Sequence, residues 1–163
     1  MICNNIGINA KGHLTFAGQD TTELAAQYGT PLYLIDENKI REKMSTYVKA
    51  MKENFGEDAL PLYASKALCF KKIYKIANEE HMGVDAVSPG EIYTALQAGF
   101  PMEKVYFHGN NKTDADIEFA IENRIGYFIC DNLDELDAID EIAGKHGIKK
   151  KIIFSFHFLI FFS

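Results

Sequence analysis

One lysine in the first half of the chain, Lys66, has surroundings that suit covalent chemistry. It lies near the end of the run Leu60–Ala67, which reads LPLYASKA and which we predict to be a short buried strand stopping at the lysine. In parallel α/β folds, ligands bind at the C-terminal ends of the strands. An amine held at such an edge can attack a carbonyl group and form a Schiff base. The alternative is a charged side chain whose aliphatic stem lies along the edge of a core strand.

Two further polar residues, Asp85 and His108, belong to later predicted strands in a similar way. Asp85 lies in the strand predicted over 83–87, and His108 directly follows the strand predicted over 104–107. The C-terminal ends of parallel strands meet at one edge of a sheet, so we expect both side chains near Lys66. Asp85 would then orient the amine, whereas the alternative is that it helps to cap the next helix. For His108 the alternative is a hydrogen-bonded turn residue.

Other polar residues nearby receive plainer interpretations. Glu91 is the expected partner of Ser88 in a capping box, because it stands three residues after that serine. Cys69 is interpreted as a small core residue, and Asn110–Lys112 as loop before a helix cap. Asp131 follows the strand predicted over 126–130 and is expected at the same edge as Lys66.

The elements that must position these residues alternate between strands and helices about every twenty residues. The predicted strands cover 61–65, 83–87, 104–107, 126–130 and 151–154. This alternation predicts parallel strands, adjacent in chain order, joined by right-handed crossovers. A closed barrel of eight such units needs roughly 250 residues. The expected fold is therefore α/β, a partial (β/α)8 TIM-type barrel truncated after about four to five βα units.

The chain before the focal strand is predicted to contain a strand over 13–16 and a helix over 22–28. A further strand is predicted over 31–35 and an amphipathic helix over 37–54. At the other end, residues 154–163 form an apolar run, FSFHFLIFFS, that does not resemble the βα units before it. We interpret this run as a tail foreign to the rest of the chain.

Composition excludes several classes of function. The 163 residues carry a formal net charge of −6, which argues against nucleic acid as the main partner. Cys3, Cys69 and Cys130 lie far apart and form no CxxC pair, so no metal site or disulfide framework is expected. The N-terminus lacks a signal-peptide pattern and no apolar run is long enough to cross a bilayer. We therefore expect a cytoplasmic protein without a membrane partner.

Five blocks in the chain resemble a known family, in order and in spacing. They are GTPLY at 29–33, YASKA at 63–67, GVDAVSPGE at 83–91, HGNNK at 108–112 and DNLDEL at 131–136. Together they resemble the ornithine/diaminopimelate/arginine decarboxylases, which have an alanine-racemase-like barrel, and most closely the diaminopimelate decarboxylases. The resemblance covers about residues 12–153.

The resemblance implies a pyridoxal 5'-phosphate-dependent decarboxylase. Lys66 would be the Schiff-base lysine, and Asp85 and His108 would contact the cofactor. The implied reaction converts meso-diaminopimelate to L-lysine, with arginine, ornithine or carboxynorspermidine as alternative substrates. The resemblance also implies a homodimer. Residues 1–30 would correspond to part of the family's β-domain, and residues 31–153 to part of its pyridoxal-phosphate barrel.

The chain departs from the family pattern after Ile153. The family's glycine-rich phosphate loop, the histidine that stacks on the cofactor ring and the acid at the pyridine nitrogen have no counterpart in residues 1–153. We therefore expect the chain as written to be a truncated and inactive form. The alternative from another class is a non-catalytic half-barrel fragment.

Overall fold

The computed structural model describes residues 4–155 of the chain. These residues belong to two compact units, which divide between Met44 and Ser45. Within residues 4–155, no helix combines the length and the apolar character that crossing a membrane requires.

The first unit contains a small antiparallel sheet followed by a helix. Its strands are β1 (Ile6–Ile8), β2 (Leu14–Phe16) and β3 (Gln19–Asp20), and they pair in that order. The helix α1 (Thr21–Tyr28) begins where the Asp20 carboxylate accepts the Thr22 amide N–H at 2.9 Å. The strand and the helix that the sequence predicts here are confirmed. A long helix, α2 (Glu37–Phe55), begins in this unit.

The strand predicted over 31–35 is wrong. This segment has no regular secondary structure and belongs to neither sheet. Its continuous apolar run fits a strand, but an extended segment becomes one only when a neighbouring strand hydrogen-bonds to it. Tyr33 in this segment is 95 % exposed, so its apolar character does not indicate a buried position.

The second unit contains a five-stranded parallel sheet in which each strand lies next to its neighbour in sequence. The order is β4-β5-β6-β7-β8, which confirms the parallel α/β fold and the chain-order arrangement. The strands are β4 (Leu62–Ala64), β5 (Gly83–Ala86), β6 (Val105–Phe107), β7 (Tyr127–Cys130) and β8 (Lys151–Phe154). The crossover helices are α3 (Lys71–Glu79), α4 (Pro89–Gln97), α5 (Asp114–Glu122) and α6 (Leu133–Lys145). Phe154 of the apolar run ends β8, and residues 156–163 of that run lie outside the described residues.

One face of this sheet supplies the core. Parallel strands in register place paired residues on the same side, and the buried row comprises Val84, Ala86, Val105, Phe107 and Phe128. Apolar helix residues such as Ile73, Ile92, Ile117 and Ile139 are also at most 2 % exposed and complete the core. The opposite face carries Asp85, Tyr106 and Tyr127, which are half-buried. The rings of Tyr106 and Tyr127 stack there at 4.3 Å between centroids.

The start of β7 depends on a glycine. A Cβ on Gly126 would lie 2.0 Å from the carbonyl oxygen of Glu103, which is backbone and cannot rotate away. We expect Gly126→Ala to lower the free energy of unfolding by about 1–3 kcal/mol, because the β6–β7 pairing must shift to relieve the clash. Gly144→Ala in α6 is the matched control, since a Cβ there meets no atom within 4 Å. Urea denaturation measures both, and equal midpoints for the two variants would contradict the expected clash.

Candidate functional site

Lys66 lies in a tight turn that directly follows β4. The strand ends at Ala64, one residue before the predicted end, and residues Ser65–Ala67 form one turn of 3-10 helix. Lys66 therefore lies just beyond the C-terminal end of the strand, as predicted. The Tyr63 hydroxyl donates to the carbonyl oxygen of Leu68 at 2.9 Å and closes this turn. The Lys66 side chain is exposed, whereas Ser65 beside it is completely buried.

A buried serine and a buried glutamate fix the Lys66 turn to the next strand. The Ser65 hydroxyl lies 2.9 Å from the carbonyl oxygen of Asp85 and also contacts the Glu91 carboxylate. Glu91 accepts the Val87 amide N–H at 3.0 Å, and it is only 8 % exposed. The ends of β4 and β5 are therefore joined by polar contacts between buried groups.

The capping box predicted for α4 is only half formed. Ser88 caps the helix and accepts the Glu91 amide N–H at 3.3 Å, as the sequence indicates. The Glu91 carboxylate, however, accepts from Val87 rather than from the Ser88 backbone. It is turned toward Ser65 and contacts the buried hydroxyl of that residue. At α5, by contrast, Thr113 and Asp116 form the complete capping box.

Three polar side chains from successive strand ends form a row at the same edge of the sheet. His108 Nδ1 lies 3.8 Å from Asp85 Oδ1, and His108 Nε2 lies 4.0 Å from Asp131 Oδ1. Since β4 is the neighbour of β5, the Lys66 turn continues this row. The edge that the sequence predicts for Lys66, Asp85, His108 and Asp131 is thus present.

Two carboxylate oxygens in this row, Asp85 Oδ1 and Asp131 Oδ1, are buried and accept no hydrogen bond from residues 4–155. Buried polar atoms nearly always have a partner, so such oxygens are informative. Burial raises the pKa of Asp85, and the nearby His108 and Lys66 oppose that rise. The capping alternative for Asp85 is wrong, because Ser88 supplies the cap of α4.

The loop after β6 contains a residue that the sequence interpretation missed. Asn110 and Asn111 line a cleft of 270 Å³ together with His108, as loop residues can. Lys112 also borders this cleft, but its side chain is only 1 % exposed, and its ammonium lies 2.5 Å from Glu135 Oε1. The spacing that indicates Glu91 could also have revealed Glu135, because each glutamate stands three residues after a helix cap.

The two cysteines in the described part of the chain have different surroundings. Cys69 is exposed, so its interpretation as a core residue is wrong; its Sγ lies 3.3 Å from the hydroxyl of the buried Tyr74. The chain has already left the sheet here, since β4 ends at Ala64. Cys130 is fully buried, and burial raises the pKa of its thiol to about 11. It therefore stays protonated near neutral pH and is not an activated nucleophile.

The burial of Asp85 leads to a prediction about stability and pH. Because the pKa of the Asp85 carboxyl is raised in the folded chain, ionisation of this group lowers the free energy of unfolding. The loss of stability begins as the pH rises above the ordinary pKa of 3.8. We expect Asp85→Asn to raise the urea midpoint near about pH 7 and to have little effect toward about pH 4. Asp140→Asn, at an exposed position in α6, is the control and should leave the midpoint unchanged. A lower midpoint for Asp85→Asn at neutral pH would contradict a carboxylate that is buried without a hydrogen-bond donor.

Comparisons with known proteins agree with this architecture. The family model of the pyridoxal-dependent decarboxylases, in its pyridoxal binding domain, matches residues 37–156. The chain is 47 % identical over 146 residues to a diaminopimelate decarboxylase from Bacillus methanolicus, covering 90 % of this chain and 34 % of that protein. It is 44 % identical over 135 residues to the enzyme of the same name from Staphylococcus aureus strain COL, covering 83 % and 32 %.

A solved structure gives the same result in three dimensions. Diaminopimelate decarboxylase from M. jannaschii, in co-complex with L-lysine, superposes with a TM-score of 0.83 at 32 % identity, over 93 % of this chain and 35 % of that one. The chain spans about a third of the length of the curated relatives it matches. The five parallel strands and their helices thus match part of the decarboxylase domain. With well over half of its residues matched, the chain belongs to the pyridoxal-dependent decarboxylase family, through the pyridoxal binding domain, and is similar within it to the diaminopimelate decarboxylases.

Proposed function

We propose that this chain supplies the lysine-bearing part of the active site of a pyridoxal 5'-phosphate-dependent amino-acid decarboxylase. Lys66 is the residue that binds the cofactor aldehyde covalently. The observation that carries the proposal is the row of His108, Asp85 and Asp131 at the strand ends beside the Lys66 turn, in which two buried carboxylate oxygens accept no hydrogen bond from residues 4–155.

The residues present fit this cofactor. An exposed lysine amine is available for a Schiff base, and the fixed turn around it limits its freedom. The two unpartnered oxygens can accept hydrogen bonds or face a cationic nitrogen, and His108 between them can donate or accept. When bound, the pyridine ring of the cofactor takes up electron density as carbon dioxide leaves the substrate.

Each residue of the chain has a distinct part in the proposal. Lys66 binds the cofactor, and its amine can afterwards carry a proton to or from the reacting carbon. Asp85, at the end of the adjacent strand, orients that amine. His108 contacts the cofactor from the next strand along the sheet. Ser65 and Glu91 act through Lys66 and Asp85, because they fix the two turns that carry them.

We propose meso-diaminopimelate as the substrate. The support is the similarity to diaminopimelate decarboxylases, one of which was solved with L-lysine, the compound left when diaminopimelate loses one carboxyl group. Arginine, ornithine and carboxynorspermidine are the alternative substrates. A homodimer and a cytoplasmic location, both expected from the sequence, also stay proposals.

The second candidate is a half-barrel without catalytic function. The observation in its favour is that β4 and β8 each have a strand neighbour on one side only, within residues 4–155. Unpaired strand edges favour association with other strands. Self-association of the purified chain without cofactor binding would support this candidate.

The proposed function is tested in a chimaera. Residues 12–153 of this chain replace the corresponding stretch of the Bacillus methanolicus enzyme, which supplies the remaining parts of the site. We expect the chimaera to release carbon dioxide from meso-diaminopimelate faster than from arginine or ornithine. A chimaera that folds and binds pyridoxal phosphate but releases carbon dioxide no faster than the free cofactor would contradict the proposal.

A further inference from the structure

A buried ion pair joins the ends of β6 and β7, on the side of the sheet edge where His108 and Asp131 lie. Lys112 Nζ lies 2.5 Å from Glu135 Oε1, and the two side chains are only 1 % and 6 % exposed. The pair crosses from the loop after β6 to the first turn of α6. We name these two residues the brace.

The brace is held by backbone groups on both sides. The Lys112 ammonium also donates to the carbonyl oxygens of Gly109 at 2.6 Å and Ile129 at 2.9 Å. Its three protons therefore have three acceptors, one in its own loop, one in β7 and one in α6. The ammonium also lies 5.3 Å from the centroid of the buried Phe107 ring.

Glu135 makes further hydrogen bonds with the turn that follows β7. Its second oxygen accepts the Asp131 amide N–H at 3.2 Å, and its own amide donates to the Asn132 cap at 2.8 Å. The turn that carries Asp131 is therefore tied to Lys112 through one carboxylate. The same lysine holds Gly109, the residue directly after His108.

A buried ion pair is weak support for stability, because desolvation of the two charges offsets their attraction. Replacing such a pair with apolar residues is often neutral. The charged pair has a geometric consequence instead: the three donors of the ammonium hold acceptors in the β6 loop, in β7 and in α6 at once. The contacts of the brace converge on the residues next to His108 and Asp131.

We propose that Lys112 and Glu135 are positioning residues that set His108 and Asp131 relative to each other for cofactor binding. This inference rests on the proposed function and extends it to two residues that hold the backbone next to His108 and Asp131. The Ser65–Glu91 contacts hold the Lys66 and Asp85 turns in a comparable manner, so each half of the row has its own polar support.

The test uses the full 163-residue chain with pyridoxal phosphate. The double variant Lys112→Met/Glu135→Leu removes both charges, so the chain should keep a urea midpoint near that of the parent. We expect its circular dichroism in the cofactor absorption band to fall and its affinity for pyridoxal phosphate to drop about tenfold, because the strand ends are no longer fixed. A purely structural role would change neither property in a folded variant.

The matched control is Lys145→Met/Glu141→Leu, which removes an exposed pair of the same residue types, with nitrogen and oxygen 2.7 Å apart, from α6. It should leave the cofactor signal and affinity unchanged. If Lys112→Met/Glu135→Leu does not fold, the double variant Lys112→Met/Glu135→Gln takes its place, because it too leaves no unpaired buried charge, and the same loss of cofactor signal is expected. A folded brace variant that behaves like the control would overturn the proposal.

Two measurements without cofactor separate this inference from the proposed function. In the parent chain the Asp131 amide should exchange with solvent at least about 100-fold more slowly than in an open peptide, because it donates to Glu135. In the brace variant, that protection should be lost and the imidazole NMR signals of His108 should shift. The proposed function is tested separately, in the chimaera. Unprotected Asp131 exchange in the parent chain, or unchanged His108 signals in the brace variant, would overturn the brace even where the chimaera is active.

Discussion

Replacing Lys66 with alanine will lower kcat/KM of the chimaera for meso-diaminopimelate by about 10³-fold or more, since residues that act as the covalent group are rarely replaceable. Lys66 is the exposed amine in the turn that follows β4. Without it the cofactor aldehyde has no covalent partner in the protein and the proton carrier beside the reacting carbon is lost. The measurement is carbon dioxide release with meso-diaminopimelate as the only substrate and the cofactor in excess.

The control for this experiment is Lys71→Ala, which removes another exposed lysine only a few residues away, at the start of α3. Its activity should stay within about twofold of the parent, because a surface substitution away from the site has little effect. A Lys66→Ala chimaera within about tenfold of the parent would contradict the role given to Lys66.

The chain of 163 residues on its own will release carbon dioxide from meso-diaminopimelate no faster than free pyridoxal phosphate does. It spans about a third of the relatives it matches, and residues 1–153 contain no glycine-rich loop in the family pattern. Helix N-termini with such loops commonly hold the phosphate group. Loss of one preorganised electrostatic group costs about 100-fold or more in rate, and several are absent together here.

The same preparation should nevertheless be folded, because the parallel sheet has a core of its own on one face. Circular dichroism and a cooperative urea transition serve as the control for this. Turnover comparable to that of a full-length diaminopimelate decarboxylase would contradict the prediction. It would also mean that the row at the strand ends suffices for catalysis.

Strand and helix positions were predictable because the apolar residues repeat with clear periods. Phe107 and Phe128 lie in the predicted strands and are buried in register. The order of the strands followed from right-handed crossovers. The edge shared by Lys66 and His108 followed in turn from that order.

Features that depend on long-range partners were not predictable in the same way. Tyr33 lies in a segment with a strand-like pattern, but a strand also needs a neighbour, which the local sequence does not supply. Lys112 was interpreted as loop, because nothing in its own segment indicates that Glu135, 23 residues later, meets it in the interior. Cys69 was interpreted as core, although the chain turns away from the sheet just before it.

The central claim, that Lys66 is the residue to which the cofactor binds, is tested most directly by reduction and peptide mapping. The 163-residue chain is incubated with pyridoxal phosphate, reduced with borohydride, digested and examined by mass spectrometry. The account predicts that the added mass lies on the peptide containing Lys66, and that Lys66→Ala abolishes it. Labelling spread over exposed lysines such as Lys49 and Lys145, or unchanged labelling in Lys66→Ala, would contradict it.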